Sequence, residues 1–162
     1  MLRKNFNRKS RASGGTFAIV ASRYNARYVD AMVRAAQAEL KRAGAKVQVV
    51  RVPGAYEIPV VAKRLARLST LSPQLSAIVC LGVILRGETV HAAHIGEAVS
   101  RALMEIQLAH EIPVVHEVLL LENEGQARVR CLDKKHNRGT EAAQTALAVA
   151  RVMKSLDSES AF

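Results

Sequence analysis

The sequence predicts an α/β protein, a three-layer α/β/α sandwich around a four-stranded, mainly parallel sheet. Three observations carry that expectation. Short β-rich apolar runs alternate with longer stretches of helical periodicity from Thr16 onward. Of the 162 residues, 49% are hydrophobic but only 4% aromatic, with no Trp, so Ala, Val, Ile and Leu must build the core, as they do in buried parallel sheets. Several apolar runs also stop at a Gly or Pro that hands over to polar residues, as at Pro53-Gly54 and Gly87.

Each element follows from local pattern. Thr16 to Ser22 reads as a strand, with Arg23-Tyr24-Asn25 as its turn. Val29, Met32, Val33, Ala36 and Leu40 recur at helical spacing, predicting a helix from about Tyr28 to Ala43 that Gly44 stops. Lys46 to Val52 is the second strand, ended by Pro53-Gly54, and a helix from Pro59 to Leu68 follows, with proline in its first turn. The stretch 69–76, which includes Pro73, reads as a loop. Ala77 to Leu85 is the third strand. A long helix from Thr89 to His110 then aligns Val99, Leu103, Ile106 and Ala109 on one face. Pro113 to Leu121 is the fourth strand, and helices over 125–132 and 138–156 close the chain, split by the polar run 133–137. Residues 1–15 form a basic tail, 16–156 one domain, and 157–162 a short C-terminal tail.

This order demands right-handed crossovers and helices on both sheet faces, which is a flavodoxin-like sandwich. Ligands of such sheets collect beyond the carboxyl ends of the strands. That directs attention to the loops 22–25, 52–57 and 85–89 and to the end of strand four. The segment Cys80 to His91 is the most informative of these. Its apolar run breaks at Gly87 before a helix start, where free backbone N–H groups and the positive end of the helix dipole suit an anion, and His91 is expected one turn inside that helix.

Charge and cysteines bound the remaining classes. The net charge is +10, but Arg3, Lys4, Arg8, Lys9 and Arg11 crowd into the acid-free start, and no Cys/His finger, RNA-binding aromatic signature or heptad-linked basic region accompanies them. Non-specific attraction to polyanions is therefore expected, and specific nucleic-acid readout is not. No apolar run reaches the roughly 20 residues that span a bilayer, and no segment has the apolar middle of a secretory signal, so a soluble, cytoplasmic protein without a membrane partner is expected. Cys80 and Cys131 lack zinc-site or redox-pair spacing and read as reduced thiols.

Four stretches in order, Phe17-Ala-Ile-Val-Ala-Ser-Arg-Tyr-Asn25, Val52-Pro-Gly-Ala-Tyr-Glu-Ile-Pro59, Leu81-Gly-Val-Ile-Leu-Arg-Gly-Glu-Thr-Val-His91 and Asn137-Arg-Gly-Thr-Glu-Ala-Ala143, closely resemble the 6,7-dimethyl-8-ribityllumazine synthases. The resemblance runs from Thr16 to Met153. It implies condensation of 5-amino-6-(D-ribitylamino)uracil with 3,4-dihydroxy-2-butanone 4-phosphate, releasing phosphate and water, through imine formation, phosphate elimination and ring closure. Such chemistry needs proton transfer and an anion cradle, and the resemblance implies neither cofactor nor metal.

The same resemblance assigns roles. His91 matches the acid/base histidine, imidazole being the side chain that most readily exchanges protons near neutral pH. Glu88 and Thr89 match the phosphate-binding turn, and Arg130 the arginine that clamps the phosphate. Tyr24 matches an aromatic that stacks on the pyrimidine, with Asn25 beside it. Ala55, Tyr56 and Glu57 would hold the heterocycle and ribityl hydroxyls, Val83, Ile84 and Leu85 would line the pyrimidine pocket through their backbone, and Arg138 would reach a ribityl hydroxyl. His116 stands where a neighbouring subunit contributes an aromatic. The resemblance implies a homo-oligomer, a pentamer or a shell of twelve pentamers.

Departures cluster near the same site. Ala92, Ala93 and His94 replace an aromatic, an acid and an aromatic, Glu117 replaces a small residue, and Leu120 and Leu121 replace two threonines. His91 and His94 share a helix face, but no third ligand stands near them in the sequence to make a metal site. These changes motivate a second reading, a divergent paralogue that binds a flavin, lumazine or phosphorylated ligand with weak turnover or none.

Overall fold

The structure, a computed structural model, describes residues 14–72 and 75–159. Eleven elements follow in order: β1 (Thr16–Ser22), α1 (Ala26–Arg42), β2 (Lys46–Val52), a 3-10 turn (Ala55–Glu57), α2 (Ile58–Leu71), β3 (Ala77–Leu85), α3 (His91–His110), β4 (Val114–Leu121), α4 (Glu124–Ala127), a π-helical turn (Arg128–Leu132) and α5 (Arg138–Glu159). The sheet has the order β2-β1-β3-β4, and every pair in it is parallel. All four strands therefore end on one side of the molecule.

Alternation along the strands divides the core into two layers. Phe17, Ile19, Val79 and Leu81 pack with Val29, Met32 and Leu40 of α1 and with Ala143 and Leu147 of α5. Val20, Ile78 and Cys80 face the other way, onto Ile58 and Ala62 of α2 and Val99, Leu103 and Ile106 of α3. β1 and β3 are covered on both faces, which is why both read as continuous apolar runs. The α1 and α5 layer is tight: a Cβ built on Gly139 would lie 2.1 Å from the Met32 carbonyl oxygen. Only glycine lets α5 approach α1 that closely.

The expected elements are present: β1, β2 and β3 have the expected bounds, several helix ends are shifted, and the helix expected over 125–132 is split into α4 and the π-helical turn. Asn25 adopts a left-handed conformation (φ 57°) that turns the chain directly from β1 into α1, so the helix starts at Ala26 rather than Tyr28. α2 runs from Ile58 to Leu71, past the expected Leu68, and α5 continues through residues 157–159, which were expected in a C-terminal tail. The expected start of α3 at Thr89 is corrected to His91. Residues 86–90 instead form a polar turn held by the Arg86 N–H on the Leu121 carbonyl at 2.8 Å, and the Thr89 hydroxyl accepts from the His91 N–H at 3.4 Å. His91 is the first residue of α3, not one turn inside it. The basic segment expected over 1–15 lies outside the described residues except for Gly14 and Gly15.

Candidate active site

The carboxyl ends of β1, β2 and β3, with the start of α3, enclose a groove of about 1000 Å³. One wall is the turn after β1, where Tyr24 lines the groove with a ring 74% exposed. That turn is fixed at three points. The Arg23 N–H bonds the Val52 carbonyl at 2.8 Å, the Tyr24 N–H bonds the Pro53 carbonyl at 3.0 Å, and the Asn25 amide donates to the Val83 carbonyl at 2.7 Å. Asn25 is thus both a wall residue and the tie between the β1 turn and the end of β3.

A second wall comes from the 3-10 turn after β2, where Gly54, Ala55, Tyr56 and Glu57 face the groove. Proline at position 53 stops β2, and the turn then folds back on itself. The Gly54 N–H donates to the Glu57 carboxylate at 2.9 Å, while the Glu57 N–H returns a 3.4 Å bond to the Gly54 carbonyl. One carboxylate oxygen of Glu57 is therefore occupied. The other remains to accept from a ligand.

Val83, Ile84 and Leu85 form the floor, and Gly87, Thr89 and the first turns of α3 form the far wall. On α3 the lining residues are His91, His94, Ile95 and Ala98, the spacing of a single helix face, with Ala92 beside them. Glu88 is exposed and does not line the groove. Glu57 is the only carboxylate lining this groove among the described residues. The His91 imidazole thus stands at the amino end of a helix, where backbone N–H groups point outward without helical partners.

Gly54, Ile95 and Ala98 line the groove with no role expected from the sequence, and Gly87, Ala92 and His94, which the sequence marks only as a turn and as departures from the family pattern, line it as well. His94, Ile95 and Ala98 carry a legible signal, since they follow His91 by three, four and seven positions. Gly54 and Gly87 contribute backbone, which leaves little signature in residue type.

Besides Glu88, three expected residues, His116, Arg130 and Arg138, do not line this groove; they stand around the open edge of β4 and the turns behind it. His116 is held on the α3 side. The Val118 N–H donates to its Nδ1 at 3.1 Å, so Nδ1 carries no proton, and Nε2 donates to the Ser100 hydroxyl at 2.7 Å, which in turn donates to the Gly96 carbonyl at 2.8 Å. Burial lowers the pKa of the ring below its ordinary value and favours the neutral form. This pairing is the reverse of an activated serine, which needs a histidine protonated at Nδ1.

On the opposite face of β4, Glu117 meets Arg138 in a two-bond pair, Nε to Oε2 at 3.0 Å and Nη2 to Oε1 at 2.7 Å. Arg138 Nη1 also donates to Glu141 at 2.7 Å. Burial raises the Glu117 pKa, against the opposing pull of the Arg138 and Arg130 charges. Asn137 organises this corner: its side-chain oxygen accepts from the Gly139 N–H at 2.8 Å and its amide donates to the Cys131 carbonyl. The π-helical turn buries Cys131, whose thiol burial pushes up to about 11, and leaves Arg130 exposed.

Known proteins with similar sequences complete the description. The family model of 6,7-dimethyl-8-ribityllumazine synthase matches residues 14–154. A 6,7-dimethyl-8-ribityllumazine synthase from Xanthomonas oryzae pv. oryzae is 40% identical over 143 residues, covering 86% of this chain and 90% of the relative. One from Xylella fastidiosa is 38% identical over 149 residues, covering 90% and 94%, and one from Stenotrophomonas maltophilia is 38% identical over 143 residues, covering 86% and 90%.

Proposed function

The chain belongs to the 6,7-dimethyl-8-ribityllumazine synthase family, and from that premise we propose that the groove at the strand ends is one half of its active site, with His91 as the proton carrier. The protein is a transferase of riboflavin biosynthesis that condenses 5-amino-6-(D-ribitylamino)uracil with 3,4-dihydroxy-2-butanone 4-phosphate, releasing phosphate and water. The observation that carries the site assignment is the convergence of His91, Thr89, Tyr24 and the 55–57 turn on one groove.

In this reading the pyrimidine lies on Tyr24 above the backbone of residues 83–85, and Tyr56 and Glu57 take the ribityl chain. The phosphate rests against Thr89 and the free N–H groups at the start of α3. Glu88 contributes backbone to that turn, since its side chain is outside the groove. His91 then moves protons as the amine adds to the ketone and as phosphate leaves.

The remaining half comes from a second copy of the chain in a homo-oligomer, a pentamer or a shell of pentamers, built from the single domain over 16–156. Two features support this. His116, Arg130 and Arg138 stand outside the groove, around the open edge of β4. Exposed apolar side chains on α2 and α3, including Val60, Leu71, Met104 and Leu108, offer surface for such contacts. The neighbour's His116 would stack on the pyrimidine as a neutral ring, Arg130 would clamp the phosphate, and Arg138 would serve a ribityl hydroxyl.

The test is formation of the fluorescent lumazine from both substrates by the purified protein. His91→Ala should lower kcat by about 10²-fold or more, the usual contribution of a positioned acid/base group. A variant rate equal to the parent's would remove His91 from the mechanism.

A further inference from the structure

Glu117 is the one charged side chain buried among the described residues, at 7% exposure. A buried carboxylate demands strong pairing, and an apolar side chain of similar volume serves stability as well or better. Its partner Arg138 is 31% exposed and donates to two carboxylates, Glu117 at 2.7 and 3.0 Å and Glu141 at 2.7 Å. A guanidinium has five N–H donors, so two remain for a ligand. Its positive charge, however, is covered from two sides. Arg130 is different, for it forms no ion pair among the described residues, although its charge acts on Glu117 from beyond contact distance.

We propose that Glu117 is a specificity-determining positioning residue: it fixes Arg138 and cancels its charge, making Arg138 a donor to the neutral polyhydroxyl chain and leaving the phosphate to Arg130. The inference rests on the reading that a neighbouring copy brings both arginines to the groove. Two uncovered arginines would compete for the phosphate and could seat it wrongly. A neutralised, rigidly held fork binds a hydroxyl without attracting an anion.

The experiment uses the assembled full chain and four variants: Glu117→Gln, Arg138→Gln, Arg130→Gln and the Glu117→Gln/Arg138→Gln double. Glu117→Gln should raise KM for the ribitylaminouracil about tenfold with kcat nearly unchanged, the scale of weakening one charge-assisted contact. It should also make inorganic phosphate a stronger inhibitor, by about threefold, because Arg138 loses the larger of its two covering contacts and keeps only the single bond to Glu141. Arg138→Gln should raise the same KM without the gain in phosphate inhibition, and the double variant should lose that gain.

Unchanged KM and phosphate inhibition in Glu117→Gln overturn the proposal, as does a fall in melting temperature and kcat with both KM values intact, the mark of a clamp alone. If Arg130→Gln raises KM for the butanone phosphate and Arg138→Gln raises KM for the pyrimidine while Glu117→Gln is silent, only the role of Glu117 falls. If neither arginine variant changes a KM, the underlying reading falls with it.

Discussion

His116 shows how much a side chain's role depends on its hydrogen bonds. A histidine near a proton-transfer site invites an acid/base assignment, yet the Val118 N–H on Nδ1 and the Ser100 hydroxyl on Nε2 define a single neutral tautomer. Such a ring offers a flat surface, and in the proposed site it would stack without carrying a proton. The sign of its pH dependence follows. The folded-state pKa lies below the ordinary 6.5, so the unfolded chain takes up a proton first as pH falls, and the stability from the neutral ring is present above 6.5 and lost as pH falls through the lowered value. His116→Phe keeps a ring that cannot titrate. Calorimetry between about pH 7.5 and 5 should show the parent's melting temperature falling more steeply than the variant's, and parallel curves would contradict the assignment. This was not legible in the sequence, where His116 registers only as a substituted aromatic. His91 was legible, because a glycine-broken apolar run followed by a helix is a local pattern.

The contact between α1 and α5 shows what one glycine does for an element. With the Met32 carbonyl 2.1 Å from a Cβ built at Gly139, alanine there must push the first turn of α5 away from α1. That turn carries Arg138 and is tied by Asn137 to the π-helical turn that presents Arg130. Gly139→Ala should therefore cost about 1–3 kcal/mol or more in denaturant unfolding, the range for overpacking, and raise KM for both substrates. Full stability in the variant would mean that α5 shifts freely. The strands were readable from periodicity, β1, β2 and β3 to the residue, whereas several helix ends were not. Asn25 and Thr89 moved two helix starts by two residues each, through a left-handed turn and a side-chain bond that composition alone does not specify. The π-helical turn had no signature apart from the buried Cys131 among exposed basic residues.

At the scale of the whole molecule, the parallel order β2-β1-β3-β4 puts the groove at β1 to β3 and leaves β4 as an open edge. One chain presents a cavity and, elsewhere, the charged and flat groups suited to line another. The proposed ring of identical copies would satisfy both, each cavity meeting a neighbour's edge. Light scattering should give a mass near five, or sixty, times 17.6 kDa at micromolar concentration, and a monomer would sink the shared-site reading. The topology was legible from the alternation of elements. The separation of the groove from Arg130 and Arg138 was not, because sequence order does not show which ends of the fold meet, whereas the family resemblance already set His116 apart as a neighbour's residue. Among the described residues, no helix is long and apolar enough to cross a membrane.

The placement of the tyrosines has an optical consequence. The chain has three Tyr and no Trp; Tyr28 is buried, its hydroxyl on Glu124, while Tyr24 and Tyr56 both stand exposed in the groove. Two of the three tyrosines therefore sit in the groove proposed to take the ligand, and no indole emission masks them. If the groove is the site, tyrosine emission should report its occupancy without a dye, a label or turnover.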